Sequence, residues 1–523
     1  MIGALRRILQ AGQGVDVLLI ETHISFVLVC GAAAYKFKKV LRTPYLDQST
    51  LALREHACHE ELRLNRRLAP DLYVGVVRVT GTSGAPELGG KGGPIDVAVQ
   101  MRAFAQDGLW DGLAARGQLG ASHVDDLAPL LARFHASAAV ADPAGHLGSP
   151  DQVRTPLLQS LDELEDLTRA TAAAAVLGPL RDWEAAAFER LRPAMARRLA
   201  LGRVRECHGD LHLGNVTVIE GHSTVFDGIE FNDELRWIDV MSEVAFMAMD
   251  LHAHGLAHLA HRFVNGYLEL TGDYDGVPVL NYYQVYRAVV RAKVHALRAA
   301  QMAAAPDATP AVAAREAVAR YLALAQRFSA REGTRAVLML THGLSGSGKS
   351  SQTEALIEVI GAVRIRSDVE RKRLAGLQAL QRSSTKRTAV LYDPGVTAAT
   401  YAQLTRLAAP VLSSGFHTIL DATFLQRAQR DTARRCAAGL GVTCIVLDFE
   451  ADTNVLRRRL RDRAAAGSDA SDADEAVLAN QIRTAEPLQA DEATLVFQCR
   501  PRASSADPAA PVDWAPVLQW LQA

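Results

Sequence analysis

Long apolar runs free of charge are missing from this sequence. Its most apolar stretch, VDVLLIETHISFVLVCGAAA, is broken by Asp16, Glu21 and His23. That is well short of the ~20 consecutive apolar residues a membrane-spanning helix needs. The stretch also has no small-residue cleavage pattern of a leader peptide, so it reads as buried strands. Cysteine is scarce as well. The six residues Cys30, Cys58, Cys207, Cys436, Cys444 and Cys499 form no CxxC pair and no Cys/His spacing suited to structural zinc. A disulfide framework is thereby excluded, and reduced thiols in the cytoplasm are expected. Nor is there an excess of either charge: 57 basic residues face 58 acidic ones, for a net charge of −1. With no block of like charges, neither a nucleic-acid partner nor a membrane surface is expected. No obligate protein partner is indicated, and the expected partner is a small-molecule acceptor.

The length of 523 residues exceeds what one hydrophobic core supports, so at least two domains are expected. Residues 1–104 read as a small sheet with one helix. The runs SFVLVCG, AAYKFKKV, YVGVVRVTG and PIDVAVQMRAF are the strands, STLALREHACHEELRLNRRLA is the helix, and GGKGG (89–93) is a plain hairpin loop. Residues 105–330 are Ala/Leu-rich and mostly helical, interrupted by a strand-and-loop region at 204–231. AAAPDATPAV has the composition of an interdomain connection. Residues 331–523 alternate apolar β runs with helices, the pattern of a doubly wound parallel sheet. No internal repeat is visible. The expected class is therefore α/β and α+β, in two domains of different fold.

Polar motifs concentrate at two places. In CHGDLHLGNV, Asp210 and Asn215 lie five residues apart, and Asp227 follows in VFDGIEFND. Phosphoryl transfer to a hydroxyl needs a carboxylate at the acceptor and oxygen ligands for the metal on the triphosphate. These three residues meet that need, with His208 bracing the loop and His212 and Glu230 near enough to assist. Asp, Asn and Gly also favour turns for purely conformational reasons. The upstream lobe, however, supplies what a turn would not require: Lys36 on a strand and Glu61 on a helix form a lysine–glutamate pair able to position the α- and β-phosphates. Lys38, on the same strand face, leaves the choice of lysine open.

Residues 1 to about 330 resemble the aminoglycoside phosphotransferase-like branch of the protein-kinase-like fold, on the strength of HGDxHxGN and the later Asp. The resemblance implies Asp210 as catalytic base, Asn215 and Asp227 as magnesium ligands, and ATP between two lobes. One part departs from the wider kinase pattern: no GxGxxG covers the phosphates, and ETHISF stands in that turn. Further on, Tyr283, Arg287, Arg291 and His295 share one helical face. Arg287 and Arg291 are thus candidates for holding an anionic substrate, unless that face is merely solvated.

The second motif is GLSGSGKSS. Gly343, Gly348, Lys349 and Ser350 satisfy GxxxxGK[ST] between an apolar strand and a helix, and Gly346, Ser347 and Ser351 complete the cradle. Backbone N–H groups at a helix N-terminus hold phosphates, Lys349 reaches the β/γ oxygens, and the Ser350 hydroxyl ligates Mg2+. Asp368 follows a short strand, where an acceptor-binding carboxylate belongs, unless it serves only as a helix cap. Arg371, Lys372 and Arg373 follow on the same helix, with Arg371 a further substrate candidate. Asp421 ends an apolar strand and suits the metal. Arg459 and Arg463, one turn apart, can stabilise the transferring phosphate unless they belong to a solvated face. They precede AAGSDASDADE, which has the composition of a mobile lid. From 336 to about 500 the chain resembles small-molecule P-loop kinases of the gluconate kinase, chloramphenicol phosphotransferase and zeta-toxin type. The pairing of both halves is similar to bacterial bifunctional aminoglycoside phosphotransferase-like/ATP-binding fusion proteins. Two ATP·Mg2+ sites acting on small-molecule hydroxyls are expected. The alternatives are a P-loop half that senses nucleotide and regulates the first, or one that phosphorylates a nucleotide sugar or macromolecule.

Overall fold

The computed structural model describes every residue except 15, 44–45, 170, 303–308, 332–334, 380, 382–390, 467–469, 493–494, 501–510 and 523. Most of the Ala/Pro connection and part of the stretch expected as a lid therefore lie outside the described residues. The chain divides into two units: Met1–His254 with Tyr286–Leu322, and Gly255–Val285 with Ala323–Ala523.

The first unit begins with helix α1 (Ile2–Gln13) and strands β1 (Val17–Glu21), β2 (Ser25–Cys30) and β3 (Ala33–Lys38). After the short β4 (Arg42–Thr43) and β5 (Leu46–Asp47) come α2 (Leu51–Asn65), β6 (Tyr73–Gly81), β7 (Pro86–Leu88) and β8 (Asp96–Arg102). Six of these strands form one antiparallel sheet in the order β1-β2-β3-β8-β6-β7. The segment VDVLLIETHISFVLVC is a strand pair, as its interrupted apolar pattern predicts. Two features differ from expectation. A second helix, α1, packs Leu5 and Leu9 against Val17, Leu28 and Phe37. The GGKGG loop is no hairpin either: it joins β7 to β8, and β6 lies between them in the sheet.

Helix α2 buries Ala57, Cys58 and Leu64 beside the polar Arg54, Glu61 and Asn65. Arg54 donates to Asp96 at 2.9 Å, which ties the helix to the sheet through charge. The helix starts where Thr50 Oγ1 accepts from the Leu53 N–H at 3.3 Å. The same helix carries Glu61, eleven residues after this cap. Thr50→Ala is expected to lower the stability of the first unit by ~1 kcal/mol, the usual worth of such a cap, measured by urea unfolding of the full chain.

The rest of the first unit is mostly helical: α3 (Trp110–Ala115), α4 (Ala121–Ser137), α5 (Pro150–Thr168), α6 (Ala174–Ala200), the one-turn α7 (Asp233–Arg236) and α8 (Val240–Ala253). Four short strands interrupt it, β9 (Val204–Glu206), β10 (Val216–Ile219), β11 (His222–Val225) and β12 (Trp237–Asp239). Strands β9 and β10 flank the HGDLHLGN loop, and β11, paired with β10, leads into Asp227.

The second unit contains α9 (Ala257–Thr271) and the start of α10 (Val277–Met302), which the sequence assigns to the helical lobe; α10 and α11 (Thr309–Ala330) each run through the boundary between units. Then come β13 (Val337–His342), α12 (Lys349–Ile360), β14 (Val363–Arg366), α13 (Ser367–Leu374), α14 (Pro394–Ser413), β15 (Thr418–Asp421), α15 (Arg427–Gly439), β16 (Thr443–Asp448), α16 (Thr453–Ala466), α17 (Glu475–Thr484), β17 (Val496–Gln498) and α18 (Ala515–Gln522). The five strands are parallel in the order β14-β15-β13-β16-β17, the doubly wound arrangement the alternating pattern predicts. Apolar runs without alternation suit strands covered on both faces. Val337, Met339, Ile419, Ile445 and Leu447 accordingly form the core with Leu356 and Ile357 of α12.

Candidate active sites

In the first unit, β3 turns Lys36 and Lys38 to the same face, and α2 presents Glu61 between them. Lys36 Nζ donates to Glu61 Oε1 at 2.8 Å and also contacts Asp227. Lys38 pairs with the other Glu61 oxygen and with Glu230. Both lysines the sequence offered hold Glu61; they differ in their second partner, since Lys36 meets Asp227 and Lys38 ties the same glutamate to Glu230. Burial lowers the Lys36 ammonium, but Asp227 and Glu61 outweigh it and raise it well above its ordinary value. Burial pushes Glu61 up, yet the two lysines hold it at about 2. Lys36 and Glu61 thus favour their charged forms, whereas burial raises the Glu230 carboxyl.

The HGDLHLGN loop is braced from several sides. His208 Nε2 lies 2.8 Å from the carbonyl of Phe226, and the His208 N–H donates to Glu243 Oε1 at 2.8 Å. Glu243 is held in turn by His135 Nε2 at 2.8 Å. Gly209 adopts φ 88°, and a Cβ there would lie 2.7 Å from the Leu235 carbonyl. The turn before Asp210 therefore requires glycine. Asn215 Nδ2 donates to the Asp210 carbonyl at 2.9 Å and to Asp210 Oδ2 at 3.2 Å. Partial burial pushes the Asp210 carboxyl up, but His212, Arg291 and His208 hold it well below the usual carboxylate range. Its side chain is 39% exposed and that of Asp227 41%, so both carboxylates are open to a ligand. Asp227 has φ 64°, stabilised by its N–H donating to Tyr73 Oη at 3.0 Å. The Asp227 carboxylate and the Asn215 amide oxygen are donors that suit a hard divalent cation.

The basic face of α10 is not a solvated stripe. Arg287 donates to the Gly209 carbonyl at 3.2 Å and to Ser242 Oγ at 3.0 Å, and stacks on Phe246. It thereby anchors the HGDLHLGN loop at Gly209. Arg291 lies in the field of Asp250, Tyr321 and Asp210, and His295 stacks on Tyr321. Asp250 accepts from the Leu213 N–H and from Tyr321 Oη. Of the two arginines, Arg291 is the one beside Asp210.

In the second unit, Gly346, Gly348, Lys349, Ser350, Ser351, Asp368, Arg371, Asp421, Arg459 and Arg463 line one cavity of about 560 Å³. Gly343 and Ser347 line a neighbouring cavity with Leu344 and Phe449. Gly343 has φ 135°, and a Cβ on it would lie 2.3 Å from the Phe449 carbonyl, so the loop entrance admits only glycine. Lys349 Nζ donates to the carbonyls of Gly343 and Leu344 at 2.9 and 2.8 Å and to Ser347 Oγ at 3.3 Å. Asp368 does not cap α13: no side chain caps that helix. Its Oδ1 lies 3.4 Å from Tyr392 Oη, a partner the sequence did not indicate. Arg371 is anchored to the Leu391 carbonyl and Thr397 Oγ1 and stacks on Tyr392. Arg459 donates to the Gly346 carbonyl at 3.1 Å, and Arg463 to the Ala473 carbonyl at 2.9 Å; neither belongs to a purely solvated face. Asp421 Oδ2 is buried and accepts no hydrogen bond, an arrangement suited to a cation.

Burial pulls the Lys349 ammonium down to about 8, although Asp421 and Asp368 oppose the shift. Phosphates bound against it would raise that value, so nucleotide binding above pH 8 takes up a proton. Affinity at this site is therefore expected to fall as pH rises from 7 to 9, with a slope approaching tenfold per unit beyond about 8. Calorimetry should detect it, and Lys349→Arg should flatten the profile.

A family model described as phosphotransferase enzyme family matches residues 46–280, and one described as AAA domain matches residues 338–488. An uncharacterized protein of Mycobacterium tuberculosis (strain ATCC 25618 / H37Rv) is 30% identical over 454 residues, 86% of this chain and 87% of that one. Among solved structures, a choline/ethanolamine kinase family protein from Mesorhizobium loti is similar at 12% identity, covering 62% of this chain and 99% of the other, with a TM-score of 0.36. A gluconokinase from Sinorhizobium meliloti 1021 is similar at 20% identity, covering 36% and 90%, with a TM-score of 0.24. Among the described residues, no helix is long and apolar enough to cross a membrane.

Proposed function

Belonging to one family with the Mycobacterium tuberculosis protein, and carrying a phosphotransferase module followed by an AAA-type P-loop module, this chain is a phosphotransferase, and we propose that it has two ATP·Mg2+ sites, each phosphorylating a hydroxyl of a small molecule. The observation that carries the proposal is that the second unit gathers Asp368, Asp421, Arg459 and Arg463 around Lys349 and Ser350 in one cavity. A nucleotide sensor needs the last two but has no use for an acceptor carboxylate.

At the first site, Lys36, held by Glu61, positions the α- and β-phosphates, and Asn215 and Asp227 hold the metal. Bound Mg2+ would neutralise developing charge on the phosphate oxygens. Asp210 accepts a hydrogen bond from the acceptor hydroxyl and then its proton. A carboxylate held so far below its usual range orients the nucleophile more than it deprotonates it early, which fits the loose transition state of phosphoryl transfer. At the second site, Lys349 and the loop N–H groups hold the phosphates, Ser350 and Asp421 the metal, and Asp368 the acceptor. Arg459, which donates to the Gly346 carbonyl, and Arg463 line the same cavity and stabilise the transferring group.

The test is a screen of small polyols, sugars and amino alcohols for acceptor-dependent ADP release, with products identified by mass spectrometry. Two products are expected, one lost with Asp210→Asn and the other with Lys349→Ala. A chain that releases ADP at the same rate with and without every acceptor, and forms no phosphorylated product, is not the enzyme proposed.

A further inference from the structure

Helix α9 lies within the residues matched to the phosphotransferase family and outside those matched to the AAA domain, yet it belongs to the P-loop unit. Its side chains complete the edge of the parallel sheet. Asn265 Nδ2 donates to the Ala362 carbonyl at 2.9 Å, and its Oδ1 accepts from the Arg364 N–H at 2.8 Å. One amide thus satisfies β14, the edge strand, as a neighbouring strand would. One turn further along, Glu269 Oε1 accepts from Arg366 Nη1 at 2.7 Å, while Oε2 lies 3.7 Å from Arg364 Nη2. The Glu269 carbonyl also accepts from Arg373.

Both arginines reach the nucleotide site. Arg364 Nη1 donates to the Ser350 carbonyl at 2.6 Å. Arg366 lines the cavity, pairs in register with Asp421 on β15, and places its Nε 3.8 Å from Asp421 Oδ2. That carboxylate oxygen is buried and accepts no hydrogen bond. Arg366 therefore stands between two carboxylates, hydrogen-bonded to the one on α9 and held just short of the one in the site.

We propose that Glu269 is a positioning residue of the second site: by holding the Arg366 guanidinium, it keeps Asp421 available to the divalent cation that accompanies the nucleotide. The proposal rests on the reading of the second unit as a Mg2+·ATP site. Without the Glu269 charge, the Arg366 guanidinium is released toward the Asp421 carboxylate 3.8 Å away, and a guanidinium pairs strongly with a buried carboxylate. Arg366 would then compete with Mg2+ for Asp421.

The experiment uses the full chain carrying Asp227→Ala, so that metal-dependent binding at the first site is removed. A fluorescent ATP analogue is titrated at a series of Mg2+ concentrations, without turnover. Glu269→Gln is expected to raise the Mg2+ concentration for half-maximal binding about tenfold, the scale of one charged hydrogen bond, with binding recovered at high Mg2+. Glu269→Gln/Arg366→Gln is expected to return the requirement to that of the parent. An unchanged Mg2+ requirement in Glu269→Gln overturns the proposal. So does a double variant as impaired as the single one, because that pattern marks α9 as merely structural support. If the parent itself binds no analogue that Lys349→Ala abolishes, the second nucleotide site is wrong and this inference falls with it.

Discussion

Asp210→Asn is expected to abolish phosphorylation at the first site while leaving its affinity for Mg·ATP nearly unchanged. The substitution keeps the size of the side chain and an oxygen able to accept from Asn215, whose Nδ2 lies 3.2 Å from Asp210 Oδ2. What is lost is the charge and the ability to take the acceptor's proton, worth ~10²–10⁴-fold in rate. The nucleotide contacts proposed for Lys36, Glu61 and Asp227 are made elsewhere, on β3, α2 and the loop after β11. Single-turnover transfer to the acceptor and calorimetric ATP binding separate the two quantities. Unchanged turnover would remove Asp210 from the chemistry, and a parallel loss of ATP affinity would make it part of the nucleotide site instead.

Lys349→Ala is expected to eliminate the second product and leave the first untouched. Lys349 is buried at the floor of the loop, and its three hydrogen-bond partners, Gly343, Leu344 and Ser347, all belong to the P-loop. Removing the cation takes away a preorganised donor to the transferring phosphoryl group, a loss of ~10²–10³-fold or more by analogy with other charge-stabilising donors. The same variant decides between two kinases and a kinase with a nucleotide-sensing regulator. Regulation would appear as a coupling free energy of ~1–3 kcal/mol, changing substrate affinity at the first site. A shift of more than ~10-fold there in full-length Lys349→Ala would favour regulation. The rate of the first step should instead match the parent.

The two polar loops were legible because each is encoded within a few consecutive residues. HGDLHLGN and GLSGSGKSS each specify a short loop whose backbone conformation is set locally by glycine, at Gly209 and Gly343 among others. Asp421 was legible as the last residue of an apolar strand, at the end of a parallel sheet where ligands bind. Period-2 alternation placed Lys36 and Lys38 on one face but had no means of choosing between them, since the choice depends on Asp227 and Glu230 approaching from far along the chain. The α10 stripe was visible as a shared face, while its direction was not: whether Arg287 meets solvent, a ligand or the Gly209 carbonyl is decided by packing.

By itself, then, the sequence determined the two folds, the order in which they occur and their two polar loops, because glycine geometry, capping and hydrophobic period act over one or two turns of chain. Only the tertiary structure decided which lysine meets Asp227, that Glu243 and His135 hold the HGDLHLGN loop, and that α9 completes the P-loop sheet. Those outcomes depend on ion pairs and hydrogen bonds between residues far apart in sequence, such as Glu269 with Arg366 and His135 with Glu243. Such pairs form only after the backbone has brought their elements together, so no local pattern records them.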